Sequence, residues 1–154
     1  SRVVAFATHG LVGGEISGLA EPALVMTPPD EATDEDDGLL KASEVAQLKM
    51  NADIILLSAC NTASGDKLGA EGLSGLSRAF IYAGARSLLV SHWSLESRSA
   101  SKLTTGFFDA LGSSESMSRS KALQHSMLGV ILNPDSEYYS HPAFWGPFSL
   151  IGDR

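Results

Sequence analysis

A single cysteine, Cys60, is the only thiol among 154 residues. That excludes an internal disulfide framework and any multi-cysteine metal site, and it points to a reducing, cytoplasmic compartment. His125 and His141 have no partner at metal-ligand spacing, so no zinc and no other cofactor is assigned. No uninterrupted apolar run approaches the roughly 20 residues that a membrane helix requires. No signal peptide is visible: Ser1 and Arg2 lead into an apolar stretch only a few residues long. The few Lys and Arg residues are scattered and form no basic stripe, which argues against a nucleic-acid partner. Neither a Walker A nor a dinucleotide glycine pattern is present. The stretch GLSGLS (72–77) has Leu76 where a serine nucleophile elbow requires glycine. No internal repeat is found.

What is present describes one globular domain, with 44% hydrophobic residues and no evident linker. The net charge of −7 is local in origin, because DEATDEDD (30–37) holds six acids and the rest of the chain is almost neutral. Preceded by Thr27, Pro28 and Pro29, that run is expected to be a solvated, mobile loop. A flap screening a neighbouring site is the alternative.

Short β-branched and apolar runs mark the strands. VVAFAT (3–8), ALVMT (23–27), DIILLSA (53–59) and RSLLVS (86–91) read as strands, and the continuity of DIILLSA implies cover on both faces. SEVAQLKM (43–50) reads as a short helix with Ser43 as N-cap. Leu73, Leu76, Phe80 and Ala83 repeat at helical spacing, with Gly84 where a C-terminal cap belongs. Leu103, Phe107 and Leu111 define a helix from about 97 to 111, ended by Gly112. Another runs from about 118 to 132, stopped by Asn133 and Pro134. FWGPFSLI (144–151) is a strand that Pro147 assigns to an edge or a start. Strands alternating with helices predict an α/β fold, with a mostly parallel sheet and helices on both faces.

Ligands of such sheets bind at the carboxyl ends of the strands. His9 and Cys60 both fall at such ends, 51 residues apart, where neighbouring parallel strands would bring them out at one edge. A Cys/His dyad needs this arrangement: a thiol on a loop, and an imidazole near enough to take its proton. The amides of Gly10 and Cys60 are candidate oxyanion donors. The competing reading keeps Cys60 as a small buried hydrophobe. His92 also follows a strand and is a candidate second site histidine, with an ordinary capped loop position as the alternative.

FATHG, EPALVM, DGLLKASEVAQLKMNADIILLSACNT, GAEGLSGLSRAFIYAGARSLLVSHW and HPAFWGPFSLIG occur in order along the whole chain. Together they resemble a CHAT domain, the caspase-like peptidase module usually found after tetratricopeptide repeats. The resemblance implies a caspase/separase-type cysteine peptidase fold with His9 and Cys60 as the dyad, acting on a protein or peptide substrate. It implies a pocket lined by the loop after SHW, often with an acid, here Glu96. Asp66 is the other candidate, and either could instead be a loop carboxylate capping the next helix. Such a domain normally has a strand–helix–strand section ahead of its histidine strand. The resemblance therefore implies that residues 1–154 are the carboxyl-terminal part of the domain, with a tetratricopeptide-repeat region elsewhere in the full-length chain. The histidine strand would then be an edge open to self-association.

Two functions compete at this point. One is a cysteine endopeptidase using Cys60 and His9, answering a regulatory signal and without a membrane partner. The other is a non-catalytic interaction domain on the same fold.

Overall fold

The computed structural model describes residues 2–33, 36–58, 70–114, 116–133 and 137–152. Its centre is a four-stranded sheet built from β1 (Val3–Phe6), β5 (Ile54–Leu57), β6 (Leu88–Ser91) and β7 (Phe148–Ile151), in the order β1-β5-β6-β7. The first three strands are parallel, and β7 is antiparallel to β6. Pro147 immediately precedes β7, which takes the edge position opposite β1. Phe144 and Trp145 do not extend that strand: they belong to α5 (Pro142–Trp145).

The apolar runs of β5 and β6 are buried throughout because each serves two layers. Ile55, Leu57, Leu88 and Val90 pack with α1 (Ala42–Gln47) and α2 (Ala70–Tyr82), through Val45, Leu76, Ala79 and Phe80. Ile54, Leu56 and Leu89 face the opposite way, onto Leu103 and Phe107 of α3 (Ser97–Ser113) and Ala122, Leu123 and Val130 of α4 (Arg119–Ile131). The two-residue side-chain period of a strand thus produces the helices-on-both-faces architecture directly. On the first face, Phe6 and Phe80 hold their ring centroids 5.3 Å apart.

The segment ALVMT does not join this sheet. Ala23–Val25 is β3, the middle of a second, antiparallel sheet with β2 (Gly10–Leu11) and β4 (Leu39–Lys41). Leu24 is fully buried and joins the small sheet to the α1/α2 core.

Three helix boundaries differ from the sequence reading. Ser43 is not the N-cap of α1: Lys41 is, and its amide donates to Glu44 Oε2 at 2.8 Å. The amide and hydroxyl of Ser43 both donate to the Glu21 carboxylate, each at 2.7 Å. Gly112 does not end α3, which continues to Ser113, where the side-chain hydroxyl closes the last turn on Ala110 O at 2.8 Å. Helix α1 stops at Gln47, and Leu48 is already extended. Gly84 does cap α2. Its φ of +106° is open to glycine, and a Cβ there would lie 2.3 Å from Met50 O.

The acidic connection between β3 and β4 is solvated but not structureless at its described positions. Asp36 N donates to Thr33 Oγ1 at 3.0 Å, and Lys41 Nζ pairs with Asp37 Oδ2 at 2.6 Å. That ion pair and its hydrogen bond lower the pKa of Asp37 and raise that of Lys41.

Candidate active site

Strands β1 and β5 run side by side with Phe6 opposite Leu57, and the Ser58 amide donates to Phe6 O at 3.0 Å. The ladder therefore holds to the last residue of both strands. His9 stands three residues beyond Phe6, and Cys60 stands three residues beyond Leu57. Cys60 and Asp66 fall outside the described residues.

His9 is exposed and occupies the corner where the chain leaves the parallel sheet for the antiparallel one. Two bonds from β3 fix this corner. Val25 N donates to His9 O at 2.8 Å, and Thr8 Oγ1 donates to Val25 O. Beyond the corner, Gly10 opposes Leu24 and Leu11 opposes Ala23. Bonded and non-bonded pairs alternate in an antiparallel ladder, and the Val25–His9 bond marks a bonded position. Gly10 is therefore at a non-bonded position, with its N–H directed away from β3. This is the geometry of an amide that can serve another acceptor.

His92 follows β6 at the same end of the sheet. Its amide donates to Pro147 O at 2.9 Å, and its Nε2 lies 2.8 Å from Ser149 Oγ. The exposed imidazole is thus tied sideways to the edge strand β7. Trp93 donates from Nε1 to Ala143 O at 3.1 Å and packs against Gly146, joining the β6 loop to α5.

Glu96 is the N-cap of α3. Its Oε2 accepts from Ser99 N at 2.9 Å and from Ser99 Oγ at 3.0 Å. The Ser99 backbone bond leads the causes that lower the Glu96 pKa, so the residue is carboxylate at neutral pH. Sequence reasoning passed over Thr8 and Ser149, since one hydroxyl beside a histidine and another far along the chain carry no spacing signal. Only the ladder brings each to its partner.

A mainly parallel sheet covered on both faces, with histidine-bearing loops at its carboxyl ends, defines the class as a caspase-like α/β protein. The chain belongs to the CHAT domain family, whose model matches residues 1–153. It is similar to tetratricopeptide repeat protein 28 of Mus musculus and of Homo sapiens. Each is 32% identical over 114 residues, or 74% of this chain. The chain spans 4% of the length of these curated relatives. No helix among the described residues is long and apolar enough to cross a membrane.

Proposed function

We propose that this domain is a cysteine endopeptidase in which Cys60 and His9 form the catalytic dyad. The observation that carries this reading is the Phe6–Leu57 register. Two adjacent parallel strands end together, and each is followed at the same offset by one member of the pair. In the reaction, His9 takes the thiol proton as Cys60 Sγ attacks the peptide carbonyl carbon. The Gly10 and Cys60 amides stabilise the oxyanion. Collapse of the tetrahedral intermediate breaks the C–N bond, and His9 passes its proton to the leaving amine. Water, deprotonated by the same imidazole, then hydrolyses the thioester and restores the thiol.

For selectivity we propose a basic residue before the scissile bond, held by the carboxylate of Glu96 or Asp66, with His92 as a further substrate-binding residue. Glu96 supports this through its charge. The full-length protein is proposed to carry a tetratricopeptide-repeat region, since that is what the names of its relatives describe.

Thiol reactivity tests the reading. Cys60 is the only cysteine here, so iodoacetamide labelling reports one site. The rate should rise at a pH below that of an ordinary thiol, and His9→Ala should abolish the shift. A slow thiol indifferent to His9 would instead support a non-catalytic interaction domain.

A further inference from the structure

We infer that Thr8 is a positioning residue for His9, acting through the backbone of Val25. This inference rests on the dyad proposed above and adds a residue that the dyad chemistry does not itself require.

Ala7, Thr8 and His9 link the mainly parallel sheet to the antiparallel one, and His9 is the last of the three. The strand before it ends at Phe6, and the strand after it begins at Gly10. A residue at such a corner has no ladder of its own to hold it. Both backbone polar groups of Val25 supply the restraint. Its N–H donates to the carbonyl on one side of the His9 Cα, and its C=O accepts from the Thr8 hydroxyl on the other. In a continued antiparallel ladder, that C=O would accept from the His9 amide. The Thr8 hydroxyl takes its place. The chain can then turn out of the β2–β3 ladder at His9 without leaving a carbonyl unpaired.

The anchor itself is firm. Val25 follows Ala23 and Leu24, both fully buried, and Val25 pairs with Leu39 on the far side of β3. The Thr8 hydroxyl is half-buried, so its bond competes less with water than a surface bond does. The imidazole is exposed and the described contacts of His9 are through its backbone, so the clamp at Val25 is what defines where the ring starts from. Dyad chemistry is sensitive to that origin: a displacement of about 1 Å can cost on the order of 100-fold in rate.

The test is the pH profile of Cys60 alkylation by iodoacetamide in the wild-type chain and in Thr8→Val, Thr8→Ser and His9→Ala. Thr8→Val keeps the shape and removes the donor. It should slow labelling at neutral pH on the order of tenfold and move the profile toward that of His9→Ala. Thr8→Ser keeps the donor and should retain the wild-type profile. Phe107→Leu opens the core on the α3/α4 face of the large sheet, away from the clamp; matched for loss of melting temperature, it should leave the profile in place. If Thr8→Val does not fold, Thr8→Ala carries the same expectation. A Thr8→Val profile that coincides with wild type while His9→Ala departs would overturn the positioning role and leave the dyad standing. An equal shift in Phe107→Leu would overturn it as well, by reducing the effect to stability. A His9→Ala profile identical to wild type would overturn the dyad, and this inference with it.

Discussion

Phe6 and Leu57 are register partners at the carboxyl ends of two parallel strands, closed by the Ser58 amide on Phe6 O at 3.0 Å. This pairing gives the candidate catalytic residues a common baseline, and a change in offset should uncouple them. Inserting one glycine between Ala7 and Thr8 lengthens the path to His9 by about 3.3 Å at most. Peptide cleavage is expected to fall by about 100-fold or more, with melting temperature much less affected. Parallel activity and thermal-melt assays check it.

Phe80 is fully buried against β5 and β6 and shares a tilted ring contact with Phe6. Phe80→Ala should destabilise the domain by about 3–5 kcal/mol. Phe80→Leu fills more of the space and should cost less. Urea denaturation distinguishes the two, and a loss below about 1 kcal/mol in the alanine variant would contradict the assigned core.

Glu96 has two separable roles to lose. Glu96→Ala removes the cap on Ser99 N and should cost about 1 kcal/mol of stability. Glu96→Gln retains an acceptor but no charge, so it should keep most of that stability. If Glu96 holds the proposed basic side chain, the glutamine variant loses its preference for Arg or Lys in a peptide library. Were the wild type to prefer apolar residues there, the acidic pocket would be discarded and the dyad kept.

Acidification should weaken two clips at once. The Arg2 hydrogen bond, with Arg2 and Arg86 charges beside it, lowers the Asp53 pKa; Lys41 does the same for Asp37. A carboxyl depressed in the folded state contributes stability above its unfolded pKa and loses it as pH falls through the folded value. Stability should therefore decline from about pH 4 downward. Arg2 is 91% exposed, so the Asp53 share is small and is screened by salt. Chemical-shift titration of Asp37 and Asp53 checks the direction, and values at or above those of free aspartate would contradict it.

Long apolar runs were legible because their burial leaves a continuous signal. IILL in β5 and LLVS in β6 read as buried strands, and Gly84 stands where a helix cap belongs. The antiparallel sheet was not legible. Its strands are two or three residues long, and neither Gly10–Leu11 nor Leu39–Lys41 is long enough to show alternation. Cap chemistry misled twice for a related reason. Ser43 is a good cap by residue type, but Glu21, 22 residues away, takes its hydroxyl. Gly112 is a good stop, but the Ser113 hydroxyl carries the helix past it. Local preference lost to a partner that only the tertiary structure supplies. In the candidate site, His9, Gly10, His92 and Glu96 were marked by strand ends and motif, whereas the hold of Val25 on the His9 corner depends on a strand pairing invisible in one dimension.

The dyad is tested most directly by cleavage kinetics of Cys60→Ala, His9→Ala and the double variant, in the full-length protein with its activator present. Residues that act as one unit are strongly non-additive, so each single variant should lose nearly as much kcat/KM as the double, with the fold intact by circular dichroism. Undiminished cleavage by Cys60→Ala would contradict the peptidase assignment.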